Sequence, residues 1–308
     1  MKVRIISALV GIVVLVAVLA CPYTIVLAVA AALLSAVAVW ELLRNTGKVN
    51  SLVQVIGGML VSSVAVMAMY FAKVAVNNAN ANVDAAKPWM LLLRALPLVY
   101  GLFTAIVWAF NHKKMSVNDA CYGFLMTFYP TLGFGCMALL REFKWLSIWP
   151  LLLLLSIAWV SDTGAYFVGT FLGKHKMAPK ISPKKSWEGF FGGWIISVLF
   201  AVGLFILRFE MQSVFPECYL FLSLRYFLPV VVLLAPLSVV GDLCASVIKR
   251  RTGIKDFGNI MPGHGGVMDR FDSVVFIAPL LFGVMQYHRQ VAGFLETIYT
   301  WIGGWFVG

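Results

Sequence analysis

Charge is what this chain has least of. Only 12% of its 308 residues are Asp, Glu, Lys or Arg, about half of the roughly 25% found in a soluble domain. Acidic side chains are the scarcer kind, 13 against 24 basic ones, and there are four histidines. So little charge cannot solvate a globule whose residues are 61% hydrophobic, which excludes a disordered chain and an ordinary cytosolic enzyme. The cysteines Cys21, Cys121, Cys136, Cys218 and Cys244 form no C-x-x-C pair, and most lie inside apolar runs. Neither a disulfide framework nor a zinc cluster is indicated. No internal repeat and no large soluble segment interrupts the pattern.

What the chain has instead is long apolar runs, with a mean hydropathy of +0.91. They fall at about 5–20, 24–40, 52–74, 90–110, 121–140, 147–169, 189–207, 226–248 and 273–287. Most approach the ~20 residues that a helix needs to cross the hydrocarbon of a bilayer. The expectation is an all-α polytopic integral membrane protein with about nine transmembrane helices. The first two runs are short and joined by Cys21-Pro22-Tyr23, and they read as one helical hairpin. Because the second run follows at once, the first is expected to be a retained span and not a cleaved leader. A last piece, 291–307, contains Glu296 and either lies in the interface or completes the ninth span.

Basic residues set the orientation. With the N-terminus inside, segments 1–4, 41–51, 111–120, 170–188 and 249–272 are cytoplasmic and hold 16 Lys and Arg, against five in the opposite connections 75–89, 141–146 and 208–225. That asymmetry predicts a cytoplasmic N-terminus. The net charge of +11 is then read as cytoplasmic loops, with no nucleic acid as partner. Asn77 to Asn82 reads as a plain external loop. Residues 1–146 are expected to be N-terminal transmembrane helices, and 147–308 a catalytic region with its site on the cytoplasmic face.

Two cytoplasmic segments differ from the rest. Lys174 to Glu188 and Lys249 to Asp272 together carry 10 of the 24 basic residues, and the second also carries three aspartates. Positive-inside loops do not require aspartates. Gly263, Gly265 and Gly266 allow the backbone close to a ligand, and such glycine nests bind phosphate. Asp269 and Asp272 are three apart at a helix start and share a face, where they would favour a hard cation such as Mg²⁺ together with substrate phosphates. Asp242, ahead of them inside an apolar run, marks a functional site because a carboxylate within a membrane is costly. The bland alternatives are a simple turn and a pair of acids complementing a helix dipole.

The segment from Ser246 through Lys249, Arg250, Lys255, Asp256, Pro262 to Gly266, Asp269, Arg270 and Asp272 closely resembles the signature of phosphatidate cytidylyltransferases (CDP-diacylglycerol synthases). A second stretch agrees: Asp162 in an apolar run, then Ser182-Pro183-Lys184-Lys185-Ser186, is similar to the family's membrane aspartate and basic loop. Thr170 stands where many members carry Arg, and Ser186 where Thr is commoner. The strong resemblance covers about 159–193 and 241–273.

The resemblance implies a reaction: CTP, with dCTP as the alternative nucleotide, and phosphatidic acid give CDP-diacylglycerol and pyrophosphate. It implies Mg²⁺, with a second cation left open, and Asp242 and Asp269 as its ligands with Asp272 close by. Lys184, Lys185, Lys249, Arg250, Lys255 and Arg270 become candidates for phosphate contacts, and His264 for a base or phosphate donor. Asp162, Ser186, Ser246 and Asp256 are carried over as substrate-site residues. A homodimer in a bacterial inner membrane is implied too, although Gly169-x-x-x-Gly173 and Gly189-x-x-x-Gly193 read more simply as packing inside one chain. The rivals are a CTP-dependent polyprenol kinase, which would release CDP, and a transporter, which would not need the glycine nest.

Overall fold

The computed structural model describes residues 11, 13–19, 21, 25–78, 83–143, 148–210, 223–261, 263 and 265–307. An apolar run surrounded by hydrocarbon has no water for its peptide groups and must satisfy them within itself, so the runs become helices. Among the described residues seven helices are long and apolar enough to cross a membrane: Val26–Asn45, Leu52–Asn77, Asp84–Phe110, Val117–Leu140, Trp149–Leu172, Trp187–Leu207 and Leu224–Arg251. They coincide with the second to eighth apolar runs. The protein is an all-α polytopic membrane protein. Half of the first expected span, 5–20, lies outside the described residues; 11 and 13–19 are helical. The ninth run forms a helix, Met268–Gln286, that is not among the seven and opens with Asp269, Arg270 and Asp272.

The chain forms two compact units, Met1–Glu142 with Cys244–Val275 and Phe143–Leu243 with Phe276–Gly308. In the first, α1 (Val26–Trp40) buries a run of small side chains, among them Ala28, Ala31, Ala32 and Ala36. It continues into a π-helical turn, Glu41–Asn45, and ends where Gly47 adopts a φ of 69°. Helices α2 (Leu52–Asn78) and α3 (Lys87–Phe110) follow. Helix α4 (Val117–Leu140) starts at a capping box in which Ser116 and Asp119 satisfy each other's backbone N–H. A seam of hydroxyls joins these helices: Ser35 to Ser62 at 2.6 Å, Thr131 to Ser62 at 2.8 Å and Tyr100 to Thr127 at 3.0 Å.

In the second unit α5 (Trp149–Leu172) and α6 (Trp187–Glu210) are joined by a short antiparallel hairpin, β1 (Lys176–Ala178) and β2 (Ser182–Ser186). The glycine motifs pack the two helices against each other within the chain. A Cβ on Gly189 would stand 2.7 Å from the Ala165 carbonyl oxygen, and one on Gly164 3.2 Å from the Gly193 Cα. Helix α7 (Leu224–Arg251) runs from this unit into the first, and α8 (Met268–Gln286) runs back. The last helix, α9 (His288–Val307), is tied to the start of α7. Glu296 accepts from the Tyr226 hydroxyl and pairs with Arg225 at 3.1 Å, and the Tyr299 hydroxyl donates to the Arg225 carbonyl at 2.8 Å.

Candidate active site

The signature segment begins in the last turns of α7, at Ser246, and its loop follows where that helix stops. Gly253 has a φ of 73°; its N–H reaches the Arg250 carbonyl, and the Ile254 N–H reaches that of Lys249 at 3.0 Å. This is a Schellman ending, which needs a residue without a Cβ at that place. It turns the chain away directly after Lys249, Arg250 and Arg251, whose positive charges suit a helix C-terminus. The chain then tucks Phe257 into the unit, fully buried. It turns at Met261–Gly265, where Gly263 and Gly265 have φ of 76° and 86° and the Met261 N–H bonds the Gly265 carbonyl. Then α8 begins.

Asp269 organises this loop. One carboxylate oxygen accepts the Lys249 ammonium at 2.9 Å, and the other accepts the N–H groups of Phe257 at 2.7 Å and Gly266 at 3.0 Å. The pair is well buried, with side chains 12% and 5% exposed. Lys249 also sits 5.1 Å from the centre of the Phe257 ring, a cation–π contact. Asp269 and Asp272 do not share a partner in the described contacts. Asp272 is buried, and its Oδ1 accepts the Ser273 N–H at 2.8 Å. Ser246 is buried, whereas Arg250, Lys255, Asp256, Gly263 and Arg270 are exposed. The Gly266 N–H, expected to face a phosphate, is taken by Asp269 instead. His264 and Pro262 lie outside the described residues.

The second unit holds the remaining candidates. Lys185 reaches down from β2 and places its ammonium 2.5 Å from the Asp242 carboxylate. A carboxylate in an apolar helix thus acquires a counter-charge from the basic loop. Lys184, its neighbour on the strand, is exposed, and Asp162 on α5 is half-buried. Ser186 is buried; its hydroxyl accepts the Gly189 N–H at 3.2 Å and so serves the start of α6. A Cβ on Gly173 would stand 2.6 Å from that hydroxyl. The hairpin is closed by Glu188, which accepts the backbone N–H groups of Lys174 and His175 and pairs with the His175 ring.

Two residues of the first unit that hold the signature loop carry no mark in the sequence reading. Glu41 is fully buried, and its carboxylate accepts the N–H groups of Val267 at 2.9 Å and Met268 at 2.8 Å. Asn45, one helical turn on, donates to the Phe257 carbonyl at 2.7 Å. One sign of Glu41 was available: an acid directly after the run 24–40, in a chain with 13 acids.

Among the described residues no group of three or more His, Cys, Asp or Glu stands ready to hold a metal ion. The donor chemistry nevertheless fits a hard cation. Asp242 and Asp269 offer carboxylate oxygens, and each of them already stabilises a positive charge on a lysine ammonium. Mg²⁺ commonly takes one or two carboxylates and completes its shell with water and substrate phosphates.

In the first unit Asp269, paired with Lys249, follows a segment that carries the exposed cations Arg250 and Lys255, with Arg270 next to it, an arrangement that can take up phosphate charge. The sequence profile of the cytidylyltransferase family matches residues 2–288. The chain belongs to the cytidylyltransferase family. Among the relatives of this chain is a phosphatidate cytidylyltransferase of Staphylococcus aureus (strain COL), 34% identical over 198 residues, or 64% of this chain and 71% of that one. The enzyme of the same name from Staphylococcus epidermidis (strain ATCC 35984) is 34% identical over 197 residues, again 64% and 71% of the two chains. One from Bacillus subtilis (strain 168) is 43% identical over 126 residues, 41% of this chain and 43% of that one.

Proposed function

We propose that this protein is a phosphatidate cytidylyltransferase that joins CTP and phosphatidic acid to give CDP-diacylglycerol and pyrophosphate. The observation that carries the reading is the folded signature loop, in which Asp269 is gripped by Lys249, Phe257 and Gly266. In this reaction a phosphate oxygen of the lipid attacks the α-phosphorus of CTP, one P–O bond forms, and the bond to the leaving pyrophosphate breaks. Several anionic groups crowd together, so catalysis consists of in-line positioning and charge neutralisation. The exposed Arg250, Lys255 and Arg270 are the triphosphate contacts. Lys249 and Lys185 hold the two carboxylates in place, and their ammonium groups would be available to phosphate if those oxygens held a metal ion. Asp242 and Asp269 would hold Mg²⁺, with Asp272 near, and the ion would offset charge on the α-phosphate and the leaving group.

The sidedness follows the charge distribution. Segments 41–51 and 249–272 were assigned to one face, and the Glu41 and Asn45 contacts to the loop support that pairing. The Asn77 amide donates to the Glu142 carbonyl at 2.9 Å, which likewise supports placing 75–89 and 141–146 together on the other. The reading therefore has a cytoplasmic N-terminus, about nine spans, and a site open to cytoplasmic CTP in a bacterial inner membrane. dCTP as a second nucleotide and a homodimer belong to the same reading. The test is purified protein with CTP labelled in the base, phosphatidic acid and Mg²⁺. Labelled lipid with equimolar pyrophosphate is expected, EDTA should abolish it and added Mg²⁺ restore it. Phosphorylated lipid with CDP released would replace the reading by a lipid kinase.

A further inference from the structure

The first unit contains a buried carboxylate that the reaction just described does not use. Glu41 sits on the π-helical turn that ends α1, 226 residues away in sequence from the N–H it binds on Val267. The first N–H groups of a helix have no partner within it, and they carry the positive end of its dipole. Both carboxylate oxygens of Glu41 are committed to such donors, Val267 and Met268. The glycine loop closes around the same group: a Cβ on Gly258 or on Gly266 would collide with the Glu41 carboxylate. Asn45 adds a third tie, to the Phe257 carbonyl. Two carboxylates thus hold one short stretch of backbone between them, Asp269 by the N–H of Gly266 and Glu41 by the next two.

We propose that Glu41 is a positioning residue for the cytidylyl transfer, fixing the Gly266–Met268 turn so that the Asp269 carboxylate meets metal and nucleotide in one orientation. This rests on the phosphatidate cytidylyltransferase reading above. Glu41 touches no substrate; it acts through the backbone it binds. A carboxylate suits the place because it offers only acceptors to two converging N–H groups. Glutamine of the same shape must turn its NH₂ toward one of them, which loses that bond and sets donor against donor. Aspartate is one methylene too short to reach both.

The experiment compares the parent and Glu41→Gln in two ways. Hydrogen–deuterium exchange of the detergent-solubilised protein should show amides 257–268 exchanging at least ~10-fold faster in the variant, a loss of ~1.4 kcal/mol of local protection, while α4 stays unchanged. In turnover, kcat should fall at least ~10-fold and the Mg²⁺ concentration for half-activation rise, with KM for phosphatidic acid unmoved. If Glu41→Gln does not fold, Gly258→Ala displaces the same carboxylate without removing it and is read identically. Faster exchange with parental kcat and Mg²⁺ dependence would overturn the positioning role, and so would unchanged exchange. A parent that folds but transfers nothing from CTP refutes the phosphatidate cytidylyltransferase reading instead, and the exchange arm still decides whether Glu41 holds the loop.

Discussion

The Lys249–Asp269 pair allows a quantitative test, because its burial makes each half costly to leave alone. Asp269→Asn deprives a lysine that is 12% exposed of its only described carboxylate. It also turns an amide NH₂ toward the ammonium or toward the N–H groups of Phe257 and Gly266. Removing one partner of a buried ion pair costs ~3–5 kcal/mol. Lys249→Met is milder. The carboxylate keeps its two backbone donors, at 2.7 and 3.0 Å, and each hydrogen bond to a charged group contributes ~1.5–3 kcal/mol. The double variant replaces the pair by two neutral side chains and strands no charge. It should therefore be more stable than the sum of the single changes predicts, with a coupling of ~1–3 kcal/mol. Equilibrium unfolding in one detergent, read by the circular dichroism of all four proteins, measures that coupling. Turnover should separate from stability: every variant lacking Asp269 is expected to stay inactive, including the stabilised double one. Additivity of the two single changes within ~0.5 kcal/mol would refute the ion pair. Recovery of activity in the double variant would refute the metal assignment of Asp269.

Three further outcomes are expected. Lys185→Ala should lower kcat/KM at least ~10-fold, or ~1.4 kcal/mol, because it removes the ammonium 2.5 Å from the Asp242 carboxylate; exposed Lys184 should cost less and Lys176 least, and equal small losses in a steady-state assay would make the loop a mere anchor. In a background without native cysteines, thiols placed at the exposed positions Lys180 and Asn259 should react with an impermeant maleimide only from the cytoplasmic side, and one at Asp84 only from outside; labelling of 259 from outside would invert the topology. Gly193→Ala should destabilise the second unit by ~1–3 kcal/mol, since its Cβ would stand 2.8 Å from the Ala165 backbone nitrogen; an unchanged melting curve would show that α5 and α6 can separate at no cost.

The spans were legible because a bilayer leaves an apolar run one backbone solution, and the charged segments stood out against a chain otherwise poor in charge. The α5–α6 contact could be read from two pairs of glycines, each pair at four-residue spacing. The contacts that shape the site were not legible, since each joins residues remote in sequence. Nothing local to Glu41 says that it meets Val267, and nothing in Ser-Pro-Lys-Lys-Ser says that only the second lysine turns inward to Asp242. The hairpin 176–186 was missed for a similar reason: its strands lack an alternating apolar face, and the register of Lys176 with Ser186 comes from the helices it connects. The glycine loop misled in one detail. Its sequence suggests amides open to phosphate, but the acids that fold it occupy the amides of residues 266 to 268.

The hydroxyls of Ser35, Ser62 and Thr131 have a bearing on how the first unit assembles. Helices already inserted in lipid gain little from apolar contact with one another, since the tails around them are equally oily. An alanine-rich surface such as that of α1 could dock at many heights. Sliding α1 by one turn, ~5.4 Å, would pull Ser35 away from Ser62 and leave a hydroxyl in hydrocarbon. The chain of bonds from α1 through α2 to α4 therefore acts as a vernier. Only one setting satisfies all three, and in that setting Glu41, six residues beyond Ser35 on the same helix, arrives at the depth where Val267 and Met268 wait for it.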